Sequence, residues 1–139
     1  MICGTHAMLA GAVGALSHSR SRAFLAGVGT HLIADLIPHR DCGFAVEAAL
    51  VTAALAAVGG LAGFGSPAFA GALGGVAPDL EHALAVAGIL AGSRFPSHQR
   101  VHGRPLREVV SQVVISAAAL GVIAHAARSG KKRTPGASR

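Results

Sequence analysis

The sequence predicts an all-α fold, a small polytopic membrane helical bundle of about five helices. Charged residues make up 13% of the chain, about half the share of roughly 25% found in soluble domains. Hydrophobic residues reach 52% although Trp and Tyr are absent, and 19 residues are Gly; small residues let membrane helices approach closely. At 139 residues, we expect a single membrane helical domain, 1–127, followed by a flexible basic C-terminal tail, 128–139.

Apolar segments define the helices in chain order, at about 4–17, 22–37, 43–64, 67–92 and 106–127. The third contains the firmest span, Phe44 to Phe64, which has one charge, Glu47, and the roughly 20 residues that cross a hydrocarbon core. The fifth also holds an uncharged run of that length, whereas the first two are shorter. We expect the fourth helix to be broken at Gly74–Pro78, because glycine loosens a helix and proline suits a first turn.

An up-and-down order of these helices sorts the polar residues between two ends of the bundle. The far end comprises 18–22, 64–67 and 128–139, which hold seven Lys or Arg and no acid. The near end, with the helix halves that lead to it, comprises 1–6, 31–47, 79–82 and 93–108. It holds all six acids, five Arg and six of the eight His. This asymmetry predicts that a polar site lies at the near end.

The basic far end indicates orientation and partners. Lys and Arg in short loops remain on the cytoplasmic side, so we expect the tail in the cytoplasm and the polar site towards the outer face of a cell (inner) membrane. The pI of about 11.1 does not indicate nucleic-acid binding, because the basic excess is a short flexible tail beside a membrane span with no aromatic stacking residues interleaved. Attraction to membrane lipid headgroups explains the basic charge. The oligomeric state is left open.

Two cysteines, Cys3 and Cys42, are too few for a disulfide framework. If 4–37 forms a helical hairpin, they lie at the same end. They then either pair or pack as small apolar residues.

The segment HLIADLIPHRD, residues 31–41, carries the first candidate metal ligands. His31, Asp35 and His39 are four residues apart, so on a helix they share a face. Pro38 disfavours helical geometry at the preceding residue and should release His39 onto the rim. The alternative is an Asp–His hydrogen bond that only locks two helices together.

Two further segments and His6 add candidates at the same end. In GGVAPDLEHAL, residues 74–84, Asp79 and His82 are three apart; the alternative is a plain kink with a stabilising Asp. In FPSHQRVHGRPLRE, residues 95–108, His98 and His102 are four apart; the alternative is a solvated basic loop. Mixed imidazole and carboxylate ligands favour a divalent metal, with zinc the best match and manganese an alternative. The eight candidate ligands exceed what one ion needs and could serve two: His6, His31, Asp35, His39, Asp79, His82, His98 and His102.

Together, Thr5-His6, the His-xxx-Asp helix, the Pro-Asp-Leu-Glu-His segment 78–82 and the late His pair resemble a known family. It is the prokaryotic family of small membrane-bound predicted metal-dependent hydrolases, which includes a LexA-regulated inner-membrane group. The motifs are also distantly similar to those of zinc-dependent phospholipase C. The resemblance covers about 5–105 and implies site roles for His6, Asp79, Glu81 and His82, and also for His31 and Asp35.

The leading hypothesis is a membrane-embedded metal-dependent hydrolase that acts on a phosphate ester of a lipid or other amphipathic substrate. Glu81 or Asp41 would orient water, and Arg40 or Arg100 would bind the phosphate. The alternative is a non-catalytic protein: a metal carrier or sensor, or a membrane protein whose His and Asp residues only join helices. A soluble helical bundle is a third interpretation.

Overall fold

A computed structural model describes residues 3–36, 43–91 and 105–132, and these ranges contain five α-helices and no strand. The helices are α1 (Cys3–Ala15), α2 (Arg20–Ala34), α3 (Phe44–Ala62), α4 (Pro67–Val86) and α5 (Pro105–Lys132). Their number and order confirm the all-α prediction for the described residues. The boundaries lie within a few residues of the predicted ones, except at the ends of α4 and α5.

Short capped turns connect the helices at the far end. Ser19 is the N-cap of α2 and accepts from the Arg22 backbone N–H, whereas Ser66 caps α4 and accepts from that of Phe69 at 3.1 Å. Serine suits this position because its hydroxyl binds an N–H group that has no partner inside the helix. Gly63 ends α3 with a φ of 91°, which favours glycine. These turns make α1 and α2, and α3 and α4, antiparallel neighbours.

Helix α4 is continuous from Pro67 to Val86 with Pro78 inside it, so the predicted break at Gly74–Pro78 is wrong. Proline removes one helical hydrogen bond but does not end the helix here, because Pro78 is fully buried against neighbouring elements. The glycine before it serves packing rather than flexibility. A Cβ on Gly75 would lie 2.5 Å from the Ala10 Cβ atom and 2.7 Å from the His6 carbonyl oxygen.

The helices form two groups, which we call the inner trio (α1, α2 and α4) and the outer pair (α3 and α5). The members of the trio pack against one another, and α1 also contacts both helices of the outer pair. The hydrophobic core is built mainly from alanine: Ala7, Ala12, Ala54, Val58, Ala68, Ala72, Ala119 and Ile123. Small side chains at these positions permit close helix packing.

The outer pair contains the helices that are long and apolar enough to cross a membrane. The candidate spans are Phe44–Ala62 and Val109–Gly130, each with an 18-residue window of mean hydropathy 1.9 in which only 17% of the residues are buried. Helix α5 continues to Lys132, five residues into the predicted tail. Arg128 lies in this extension, and its Nε atom donates to the Ala124 carbonyl oxygen at 3.2 Å. Residues 128–132 of the predicted tail are therefore helical.

Contacts at both ends of the bundle support the two-ended arrangement. At the far end, Ser17, Ser66 and Gly130 line the same cavity, so the α1–α2 turn, the α3–α4 turn and the end of α5 lie together. At the near end, the Cys3 backbone N–H donates to the Glu47 Oε2 atom at 2.8 Å. A carboxylate there satisfies a backbone donor at the first turn of α1 and fits the positive end of the helix dipole.

Candidate metal centre

Four ionisable side chains meet inside the inner trio towards its near end. They are His6 from α1, His31 from α2, Asp35 at the C-cap of α2, and Asp79 from α4. The two oxygens of Asp35 lie 3.0 Å from His6 Nε2 and 3.2 Å from His31 Nε2. Asp79 Oδ1 lies 3.7 Å from His31 Nε2. Three helices therefore each contribute to a single cluster.

The cluster is buried on one side and partly open on the other. The side chains of His6 and His31 are 1% and 0% exposed, and their rings stack with centroids 4.0 Å apart. The Asp35 side chain is 4% exposed, whereas that of Asp79 is 23% exposed. Ionisable groups are rarely buried unless they are paired or bind metal. Asp79 is thus the most exposed member of the cluster, although its Oδ2 atom is buried.

A backbone oxygen fixes the protonation pattern of His31. Its Nδ1 atom lies 2.8 Å from the Gly75 carbonyl oxygen, which can only accept, so Nδ1–H is the donor. In the neutral imidazole, Nε2 then carries a lone pair that faces Asp35 and Asp79. A lone pair facing two carboxylates is unfavourable unless a cation, either a proton or a metal ion, lies between them. Histidines that bind metals commonly donate their other N–H to a backbone carbonyl in this way.

The separations within the cluster fit a small metal ion. Ligand atoms of His6, His31 and Asp79 all lie within 4.8 Å of one another. Tetrahedral zinc with bonds of about 2.0–2.1 Å places neighbouring ligand atoms about 3.3 Å apart. The contacts of His31 Nε2 with Asp35 and Asp79, at 3.2 and 3.7 Å, are on either side of that value. The group of His6, His31 and Asp79 could therefore hold a metal ion. Asp35 contacts the Nε2 atoms of both histidines, so it lies next to the same position.

The other predicted site residues are not part of this group within the described ranges. His82 is exposed on α4, and Glu81 is half-buried. Glu81 follows Asp79 by two residues, about 200° around the helix, so its Cα–Cβ bond points to another side of α4. The remaining predicted residues lie outside the described ranges: His39, Arg40, Asp41, His98, Arg100, His102 and Cys42. Their roles stay predictions, as does the pairing of Cys42 with Cys3.

Sequence reasoning missed two groups that position the site. The Gly75 carbonyl orients His31, and Glu47 binds the first turn of α1, close to His6 in the chain. A backbone acceptor has no residue-type signature, but two glycines shortly before a helix proline could have indicated close packing. A lone carboxylate in an otherwise uncharged span could have indicated Glu47.

Comparison with protein-family models, with curated proteins and with solved structures finds no match for this chain.

Proposed function

We propose that the protein is a membrane-embedded metalloprotein in which His6, His31, Asp35 and Asp79 bind a divalent ion. The observation that carries the proposal is the environment of His31, whose Nδ1–H is bound to Gly75 while Nε2 faces two carboxylates. Two imidazoles and two carboxylates suit zinc best and manganese next. The group supports one ion, and a second would need the predicted ligands His39, His98 and His102.

We further propose that the bound ion serves hydrolysis of a phosphate ester in a lipid or other amphipathic substrate. A divalent ion would supply Lewis-acid chemistry at a phosphoryl oxygen. The partial exposure of Asp79 supports this proposal, because it opens the cluster to an incoming group. The apolar outer pair supports an amphipathic substrate, because such molecules concentrate where those helices would meet lipid. Phosphate binding by Arg40 or Arg100, and water orientation by Glu81 or Asp41, rest on the sequence.

The proposed location is a bacterial-type inner membrane, with the far end in the cytoplasm and the metal centre towards the outer face. Two candidate spans support membrane association, and the basic far end supports the orientation.

Metal analysis of the purified full-length protein tests the first step. We expect about one zinc or manganese ion per chain in detergent solution, and loss of that ion in the double variant His31→Ala, Asp79→Ala. The matched control is the double variant His18→Ala, His125→Ala, which removes two exposed histidines outside the cluster and should keep the metal. Absence of transition metal in the wild type, or equal metal content in the two double variants, would contradict the proposal.

Phosphate release tests the second step separately. The metal-loaded protein, in mixed micelles with a phospholipid and with a soluble phosphodiester, should release product from the lipid faster. Chelation should abolish the activity and the same metal should restore it. Protein that keeps its metal but hydrolyses neither substrate is a carrier or a sensor rather than a hydrolase.

A structural role is the second candidate, and the contacts of Asp35 favour it. Separations of 3.0 and 3.2 Å to two histidines are also those of hydrogen-bonded ion pairs that hold helices together. A protein of this kind should lose stability on Asp35→Asn in metal-free buffer, and added zinc should not raise the stability of the wild type. A metalloprotein should gain stability from zinc, because ligands that bind only the folded state stabilise it.

A further inference from the structure

The far end of the bundle presents exposed arginines from two different helices. Arg20 and Arg22 lie in the first turn of α2, and Arg128 lies in α5. One cavity is lined by both Ser17 and Ala127. Ser17 is near Arg20 in the chain, and Ala127 directly precedes Arg128. The three guanidinium groups therefore belong to one end of the molecule. The last turn of α5 adds Lys131 and Lys132 in sequence.

Acidic side chains in the described ranges lie towards the opposite end. Glu47 binds the Cys3 backbone N–H, Asp35 contacts His6, and Asp79 contacts His31, with Glu81 two residues further along α4. In the described part of the far end, the positive charge therefore has no neighbouring carboxylate. Such a surface attracts anions.

The candidate span in α5 ends beside Arg128, at the level where a membrane would have its lipid headgroups. The span Val109–Gly130 has 22 residues, or about 33 Å of helix, which matches a hydrocarbon core of about 30 Å. Arg128 is two residues from the end of that span, and its Nε atom is held by the Ala124 carbonyl oxygen. The Arg128 side chain is exposed at the edge of the apolar surface. Long basic side chains at this level extend to the interface.

We propose that Arg20, Arg22 and Arg128 form a docking surface for the headgroups of anionic phospholipids, a role separate from that of the metal centre. The positive charge of this surface complements anionic headgroups, and the surface lies beside two apolar helices. Both features favour a membrane as its partner. Nucleic acid is the less favoured partner, because no Phe, Tyr or Trp side chain lies between Ser17 and Ala23 for bases to stack on.

Native mass spectrometry of the full chain tests the proposal. The protein in neutral detergent is mixed with equal amounts of phosphatidylglycerol and phosphatidylcholine, and the bound lipids are counted at low and high salt. We expect phosphatidylglycerol to be preferred by about tenfold at low salt, and less at high salt because exposed charges are screened. The triple variant Arg20→Gln, Arg22→Gln, Arg128→Gln should bind both lipids about equally.

The matched control is the triple variant Arg20→Lys, Arg22→Lys, Arg128→Lys, which keeps the charge and should keep the preference. Thermal unfolding of all three proteins in the same detergent verifies the fold independently of this surface and of the metal centre. If the Gln triple variant does not fold, the double variant Arg20→Gln, Arg22→Gln replaces it and should show a reduced preference. No preference in the wild type, an undiminished preference in the folded Gln variant, or displacement of phosphatidylglycerol by a short oligonucleotide would each overturn the proposal.

Discussion

The shortest helix of the inner trio and the shorter helix of the outer pair differ in how much of their surface is buried. Helix α1 has 13 residues, of which eight are buried, whereas α3 has 19 residues, of which three are buried. The longer and more apolar helix is thus the more exposed one. Hydropathy alone would have put α3 at the centre of the molecule, but the more buried helix is α1, in which most buried residues are glycine and alanine.

This difference shows how the chain forms a polar site from few polar residues. Close approach of α1, α2 and α4 lets short side chains from three helices meet, as His6, Asp35 and Asp79 do. Such approach requires small residues where the helices cross. The outer pair supplies apolar surface instead, including Phe44, Val46, Val113 and Val114, each more than half exposed. The same kind of substitution should therefore affect the stability of the protein differently in the inner trio and in the outer pair.

The largest effect is expected for a charge in the middle of the outer pair. Ala53 is exposed halfway along α3, and Ala53→Lys should cost about 2.5–3.5 kcal/mol if this face meets lipid. Unfolding of the full chain in lipid bicelles measures the cost, with His18→Lys in the α1–α2 turn as the control. A change below about 0.5 kcal/mol, as on a surface in water, would show that α3 does not face lipid.

The next largest difference is expected when a methyl group is added to one glycine in each helix group. Gly75→Ala should destabilise the protein by about 1–3 kcal/mol, because its Cβ would overlap Ala10 and the His6 backbone. Gly60→Ala, on α3, meets nothing within 4 Å and should be neutral or stabilising by up to about 1 kcal/mol. Thermal unfolding of both variants in the same detergent provides the comparison. Equal stabilities would mean that the inner trio is not tightly packed.

Removing one charge inside the inner trio should weaken metal binding. Asp35→Asn keeps the size of the side chain but removes the negative charge between His6 and His31, and the zinc affinity should fall by about 10–100-fold. Glu81→Gln removes the same charge from α4 outside the three-residue group and should change the affinity little. Competition with a chelator of known affinity measures both. A larger loss of zinc affinity in Glu81→Gln than in Asp35→Asn would show that the metal site does not depend on Asp35.

The smallest effect is expected for a side-chain hydrogen bond between the two groups. Ser116 on α5 donates a hydrogen bond to Thr5 on α1, with an Oγ–Oγ1 distance of 3.2 Å. Ser116→Ala should cost about 0.5–1.5 kcal/mol, and nearer the lower value in lipid. Ser129→Ala, at an exposed position of α5, is the control and should not change the unfolding temperature. If the two variants were equally stable, packing alone would hold α5 on α1.

Local patterns predicted much of the fold and part of the candidate site. Apolar runs predicted the five helices, and the four-residue spacing of His31 and Asp35 predicted that they share a face, as their 3.2 Å contact confirms. The continuity of α4 was not predictable, because the rule for Pro78 is local whereas the packing that holds it comes from other helices. The hydrogen bond from His31 to Gly75 could not be predicted either, since every residue carries a carbonyl oxygen.

The links between His31 and Gly75 and between Cys3 and Glu47 each join residues 44 positions apart. During synthesis, α1 and α2 therefore emerge well before the groups that complete them. The hairpin of these two helices can bring His6 to Asp35, but Gly75 and Asp79 arrive only with α4. Ribosomes add roughly 5–20 residues per second, so this interval lasts seconds. A nascent chain that stops before Asp79 presents an incomplete set of donors, and the finished centre is a product of late synthesis.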